Sequence, residues 1–245
     1  MKNNWVLMLC IISGAASLFP IGDTTAEPDQ REMLGKKCSL GDPISCFNLG
    51  VMLHDGTNGA KDPAKAREFF EKACMLKDGD GCFDLGMMWH HGEGGPADHL
   101  KAGFYFDKAC VLKVGSGCTN LGLMLDNGAG GKKDQAKARV FYADGCELKD
   151  WPGCYNLAAL LINGEGGSRD ELKAREILTP ACNGNYAPAC NILGVMCANA
   201  SGGAQDNAKA VELFRKSCDL KDEKGCSALK KMEKAGDGKQ PGRKP

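Results

Sequence analysis

Fourteen cysteines in 245 residues are the first chemistry the sequence offers. Twelve of them fall in pairs, Cys38 and Cys46, Cys74 and Cys82, Cys110 and Cys118, Cys146 and Cys154, Cys182 and Cys190, Cys218 and Cys226, eight residues apart within each pair and 36 residues from pair to pair. Zinc sites pair their thiols across two to four residues, whereas here seven intervene and the pairs have no regular histidine partner. Haem attachment would need C-x-x-C-H, which the chain lacks. Disulfides remain, in one of two arrangements. A pairing 8 apart pins the end of one helix to the start of the next and uses all twelve thiols. A pairing 28 apart ties one hairpin to itself and strands Cys38 and Cys226. The local pairing is the preferred expectation, each bridge closing a loop of about nine residues.

Other reactive groups are sparse. One S-x-x-K stands at Ser227–Lys230, the spacing of a serine nucleophile and its base, but the S-D-N and K-T-G elements of such enzymes are missing. His54 and His90 share a register position on successive repeats, with His91 beside one of them, and they are expected to be solvated helix ends. No Ser/His/Asp order is present, and the glycine-rich loops lack the lysine of a phosphate cradle. No catalytic residue is assigned, and neither a metal nor a cofactor is expected. Cys197 stands where earlier repeats carry Leu53, Trp89, Leu125 and Leu161, so it is expected as a buried thiol. A bridge from it to Cys190 would span two helical turns, too far for a disulfide.

Repetition at 36 residues is the signature of a stacked array. Upstream of each cysteine pair runs a helical pattern such as 63–77, with Asp62 as N-cap, Pro63 at the first position and Ala66, Phe69, Phe70 and Ala73 as its apolar stripe. This is helix B. Downstream, Cys82, Leu85, Gly86, Met88 and Trp89 make a second stripe, helix A, which ends near Gly92. A hairpin of this size cannot bury its apolar stripe alone, so the units must stack into a solenoid. Gly50, Gly86, Gly122, Ala158 and Gly194 form a column where larger side chains would hold two helices apart, beside a core column of Leu49, Leu85, Leu121, Leu157, Leu193 and Leu229. The methionines at 52, 88, 124 and 196 read as core. The expected organisation is a capping helix within 27–43, five A–B repeats over 44–223, a polar capping helix over 224–235 and a disordered tail over 236–245.

Thirty-one basic residues against 31 acidic ones leave no net charge, which argues against nucleic acid and acidic membranes as partners. Residues 1–26 read as a secretory leader: Lys2, an apolar run from Trp5 to Phe19, and Thr24-Thr25-Ala26 as the cleavage site. That run is short for a membrane span, so no stable span is expected once the leader is removed. Helix A repeats polar groups on one face, first Asn48, Asp84, Asn120 and Asn156, then Asp55, His91, Asn127, Asn163 and Asn199. Asn and Asp in such columns can hydrogen-bond the backbone of an extended peptide lying in a concave groove.

The pattern A-x-x-x-C-x-L-x-x-x-x-G-C-x-x-L-G, the glycine-rich loop and the Asp-x-x-Lys-Ala opening of helix B (Asp62/Lys65/Ala66, Asp98/Lys101/Ala102, Asp134/Lys137/Ala138, Asp170/Lys173/Ala174) resemble the Sel1-like repeats, relatives of the tetratricopeptide repeat. More narrowly, disulfide-paired units behind a leader are similar to the cysteine-rich Hcp family of Helicobacter and related bacteria. The resemblance implies an all-α, right-handed α/α superhelix of about five 36-residue repeats, each junction stapled by a C-x7-C disulfide, and a secreted or periplasmic location. It also implies penicillin binding or slow hydrolysis, as in β-lactamases. Gly95, Gly131 and Gly167, where many members carry Val, and the odd Cys197 depart from the family pattern. The expected function is an exported scaffold that binds a protein or peptide in its groove, through Asn48, Asp84, Asn120, Asn156, Asn127 and Asn163. The alternative is a weakly hydrolysing β-lactamase that takes a β-lactam or peptidoglycan-like small molecule.

Overall fold

The structure, a computed structural model, describes residues 29–237; the leader expected over 1–26 lies outside them. Twelve α-helices follow one another among the described residues. They are α1 (Gln30–Ser39), α2 (Pro43–Asp55), α3 (Pro63–Met75), α4 (Gly79–His91), α5 (His99–Val111), α6 (Gly115–Asn127), α7 (Gln135–Glu147), α8 (Trp151–Asn163), α9 (Glu171–Asn183), α10 (Ala187–Ala198), α11 (Asn207–Asp219) and α12 (Glu223–Asp237). Even-numbered helices are A and odd-numbered ones B. Helix α12 continues two residues into the segment expected as tail, the rest of which lies outside the described residues.

Each B helix from α3 onward opens on an aspartate, and the Asp-x-x-Lys motif is its cap: the side chains of Asp62, Asp98, Asp134, Asp170 and Asp206 accept from the backbone N–H of Lys65, Lys101, Lys137, Lys173 and Lys209. At the other end B is shorter than its apolar pattern. Helix α3 stops at Met75 because Lys77 is left-handed, and the amides of Lys77 and Asp78 donate back to Cys74 and Ala73. This is a Schellman turn with lysine where glycine is usual. Lys113, Lys149, Asn185 and Lys221 repeat the positive φ in the later turns.

All six disulfides join cysteines 8 apart across these turns: Cys38 with Cys46, Cys74 with Cys82, Cys110 with Cys118, Cys146 with Cys154, Cys182 with Cys190, and Cys218 with Cys226. Their Cα separations are 4.4 to 4.7 Å. The alternative pairing 28 apart is therefore not the one adopted. The turn brings the second-last residue of helix B opposite the first turn of helix A, which is what makes the local pairing geometrically ordinary. In the first five pairs the second cysteine is the deeper one: Cys46, Cys82, Cys118, Cys154 and Cys190 are fully buried, whereas Cys110 and Cys146 are half-buried, as are both Cys218 and Cys226 of the last pair.

Within each hairpin the glycine column has a specific cause. A β-carbon on Gly50, Gly86, Gly122 or Gly194 would lie 2.6 to 2.8 Å from the ring of Phe70, Phe106, Tyr142 or Phe214 on the following B helix. The ring occupies the space that a β-carbon would need. Where the column carries Ala158, the facing residue is Leu178, fully buried and without a ring. Small and large residues thus compensate in pairs, keeping the two helices at one spacing.

Helices α2, α4, α6 and α10 pack most extensively on the B helix that follows them, α8 packs equally on both its neighbours, and α6 with α8 and α10 with α12 also touch directly. Among the described residues no pair of B helices makes comparable contact, so the closest approach between neighbouring units runs along the row of A helices.

Gly122→Ala is expected to cost about 1–3 kcal/mol through overpacking, and adding Tyr142→Leu should recover part of that loss, because the pair then copies Ala158/Leu178. Urea unfolding of the single and double variants measures both. Replacing Cys110 and Cys118 together by Ala should cost about 2.5 kcal/mol in the same assay.

Candidate functional site

A cleft lies between the A helices α2 and α4. Its volume is about 410 Å³. Val51, Phe83 and Met87 supply apolar walls, while Asp55, Asp84 and Glu93 bring carboxylates to the rim. The cleft exists because this register position carries polar groups on helix A while the positions one turn away carry the core.

His54 ties the two units together. Its Nδ1 lies 2.7 Å from Asp55 and its Nε2 2.7 Å from Glu93, in the loop after α4. A ring with a carboxylate on each nitrogen is stabilised as imidazolium, so its pKa is raised, first by the Asp55 hydrogen bond and then by that to Glu93. Asp84 is half-buried beside it. Burial pushes its carboxyl up to about 6, with Asp80, Asp78 and Asp55 adding to the rise and His54 opposing it. His91 is exposed and also lines the cleft. His90 packs instead against His91 and His99, with ring centroids 5.0 and 4.9 Å away, and burial, then His91 and His99, hold its pKa down.

Of the other residues proposed for the groove, Asn48, Asn127 and Asn163 are exposed, and Asn120 and Asn156 are half-buried. Asn120 spends its amide on its own helix, donating to Ser116 O at 2.8 Å. Asn163 donates to Glu165 at 3.1 Å. Asp55, His91, Asn127 and Asn163 are the last residues of their helices, and Gly56, Gly92, Gly128 and Gly164 follow as left-handed caps. Asn199 departs from this: it caps α10 itself, one residue early, because Ala200 replaces the glycine. The His54 bridge escaped the sequence analysis. Its partner is 39 residues away in a loop, at a register position that elsewhere carries Thr57, Ala129, Glu165 and Ser201 and so does not announce the pairing.

Cys197 is free and buried. It is more than a small hydrophobe, since Nη2 of Arg175 donates to its sulfur at 3.2 Å. Ser227 and Lys230 are exposed on α12 and line an open hollow beside the Cys218–Cys226 bridge. Among the described residues no helix is long and apolar enough to cross a membrane.

Residues 43–78, 79–110, 115–150, 151–186 and 187–222 each match the family described as Sel1 repeat. The chain belongs to the Sel1 repeat family. No curated protein sequence matches it significantly. Among solved structures, this Sel1 repeat protein is similar to c5321, described as a protective antigen present in uropathogenic Escherichia coli strains displaying an SLR fold. The identity is 28% and the TM-score 0.79, over 84% of this chain and 44% of that one. The chain thus spans less than half of that relative's length. A Sel1 repeat protein from Oxalobacter formigenes shares the fold at 19% identity and TM-score 0.75, over 89% and 87% of the two chains. Helicobacter pylori cysteine rich protein B is 28% identical over 69% of this chain and 96% of that one, with a TM-score of 0.33.

In an NMR titration His54 should protonate above the ordinary imidazole value of 6.5, and Glu93→Gln should lower its midpoint. Because the folded pKa is raised, the stabilisation from this bridge is complete below pH 6.5 and is lost as pH rises through the folded midpoint. Glu93→Gln should therefore narrow the stability difference between pH 6 and pH 8, read by thermal unfolding.

Proposed function

We propose that the protein is an exported scaffold that holds a protein or peptide segment along the row of A helices, in the periplasm or outside the cell. The α2–α4 cleft carries this reading. It combines apolar walls with carboxylates, the composition that takes an apolar side chain next to a basic one. Asn48, Asn120, Asn156, Asn127 and Asn163 extend hydrogen-bonding groups along the same row for the backbone of an extended segment. Six disulfides suit an oxidising compartment, as does the leader-like start of the sequence.

Selection from a random peptide library on the oxidised protein at pH 7.5 is expected to enrich peptides with an apolar residue beside Lys or Arg. Asp84→Lys and Met87→Glu should each weaken the selected peptides by roughly tenfold or more, about 1.4 kcal/mol, while Glu176→Lys on α9 should leave them unchanged. Binding should also fall between pH 7.5 and pH 5. Asp84 becomes neutral below about 6 and His54 gains its proton, so the cleft loses negative charge twice. Failure to enrich any peptide, or equal affinity in the cleft variants, would reject the groove.

A further inference from the structure

The B helices carry an arginine at one register position, Arg31 on α1, Arg67 on α3, Arg139 on α7 and Arg175 on α9. In three of them the guanidinium latches the following A helix to its glycine-rich loop. Nη2 of Arg31, Arg67 and Arg139 donates to the carbonyl of Met52, Met88 and Leu160, at 2.7, 2.8 and 2.8 Å. Nε of Arg31 and Arg139 donates to Thr57 O and Glu165 O at 2.9 and 2.6 Å, and Nη1 of each to Ala60 O and Ser168 O at 3.0 Å. Arg67 Nη2 also faces the carbonyls of Gly95 and Pro96 at 3.3 and 3.5 Å, and Arg139 Nη2 that of Gly167 at 3.4 Å. Arg175 occupies the same position but gives its Nη2 to Cys197.

Helices α5 and α11 break the column, with Gly103 and Val211 in place of arginine, and of the two only α5 is followed by an A helix with a glycine-rich loop after it. Moving the accepting carbonyls by the repeat length of 36 places them at Met124, Ala129, Gly131 and Lys132. All four residues line a cavity of about 150 Å³ against Gly103. A β-carbon on Gly103 would meet nothing closer than Met124 Cε at 3.7 Å, so the space is open where the other arginines begin. Among the described residues no backbone hydrogen bond ends on the carbonyls of Ala129, Gly131 or Lys132. The carbonyl end of α6 also points there, and a helix C-terminus favours a cation. Lys132 enters through its carbonyl by this register while its ammonium is exposed to solvent, and His99 is the other titratable residue of the lining.

We propose that this cavity is a guanidinium socket, filled by an arginine side chain from a partner protein. The carbonyl set is the one that neighbouring repeats use for a planar guanidinium fork, which a compact ammonium does not match. Leu100, which lines the cavity, and Phe104, one turn further along α5, are 73% and 55% exposed, an apolar surface that a protein segment would cover and a free small molecule would not. The socket stands apart from the α2–α4 cleft and does not depend on it.

The test is an amide NMR titration of the oxidised full chain with millimolar ethylguanidinium chloride, with ethylammonium chloride as the control. Saturable shifts are expected at Gly103, Ala129, Gly130 and Gly131, with no matching response at the loops already latched by Arg31, Arg67 and Arg139, and none from ethylammonium. Gly103→Arg should abolish the response and raise Tm, because the side chain then latches the loop in cis. Gly103→Met should abolish the response without the guanidinium hydrogen bonds, and Asp84→Lys should leave it intact. Shifts that do not saturate, that ethylammonium reproduces, or that persist in Gly103→Arg would overturn the socket. Binding of Nα-acetyl-arginine methylamide supports a protein arginine as occupant. Binding of free arginine alone would overturn that half in favour of a small molecule.

Discussion

Everything in the solenoid depends on the short turn between one hairpin and the next. A Schellman turn reverses the chain in the shortest distance available, and a disulfide laid across it fixes the approach of the two helices. Repeating that joint six times sets the pitch of the stack. Four of the turns place a lysine in the left-handed region, a conformation that is costly for a residue with a β-carbon. The covalent bridge holds the turn in place despite that cost. A core with few aromatic rings is thereby supported at every junction.

The opposite edge of the stack is held differently. There the glycine-rich loops close on themselves through backbone bonds from the capping aspartates, such as Asp62 N–H to Leu53 O and Asp134 N–H to Leu125 O. Guanidinium groups gather the loop carbonyls that remain. One edge is therefore covalent and uniform, and the other is polar and varies from repeat to repeat. Arg67 also lies 4.0 Å over the Trp89 ring, Arg175 turns to a thiol, and α5 has no arginine at all. Variation of this kind is where identical repeats acquire individual surfaces.

The row of A helices shows the same principle. Its helices share a polar column, yet among the described residues only the α2–α4 cleft joins it to apolar walls and a histidine bridge between units. Burial and the neighbouring acids make Asp84 a weak acid there, so the charge of the cleft changes in mildly acidic solution. In this Sel1 repeat protein the few positions that break the repeat are what make one unit's surface differ from the next.

The fold was almost wholly legible in the sequence. A strict period of 36, alternating helical stripes and twelve thiols in register leave one architecture, because each repeat can bury its stripe only on its neighbours. The capping aspartates and the local disulfides followed from the same register. Less was legible wherever the partner lay on another helix or loop. The glycine column announced a close approach, but only the structure showed that the approaching group is a ring, and why Ala158 faces Leu178. Lys77 looked helical by pattern and is left-handed, since the turn and its bridge decide its conformation rather than its own preference. His54 with Glu93, Arg175 with Cys197 and the space at Gly103 are contacts between segments 39, 22 and 18 or more residues apart. A sequence fixes what repeats, because local spacing carries it; which side chains meet across the stack is decided only when the hairpins are packed.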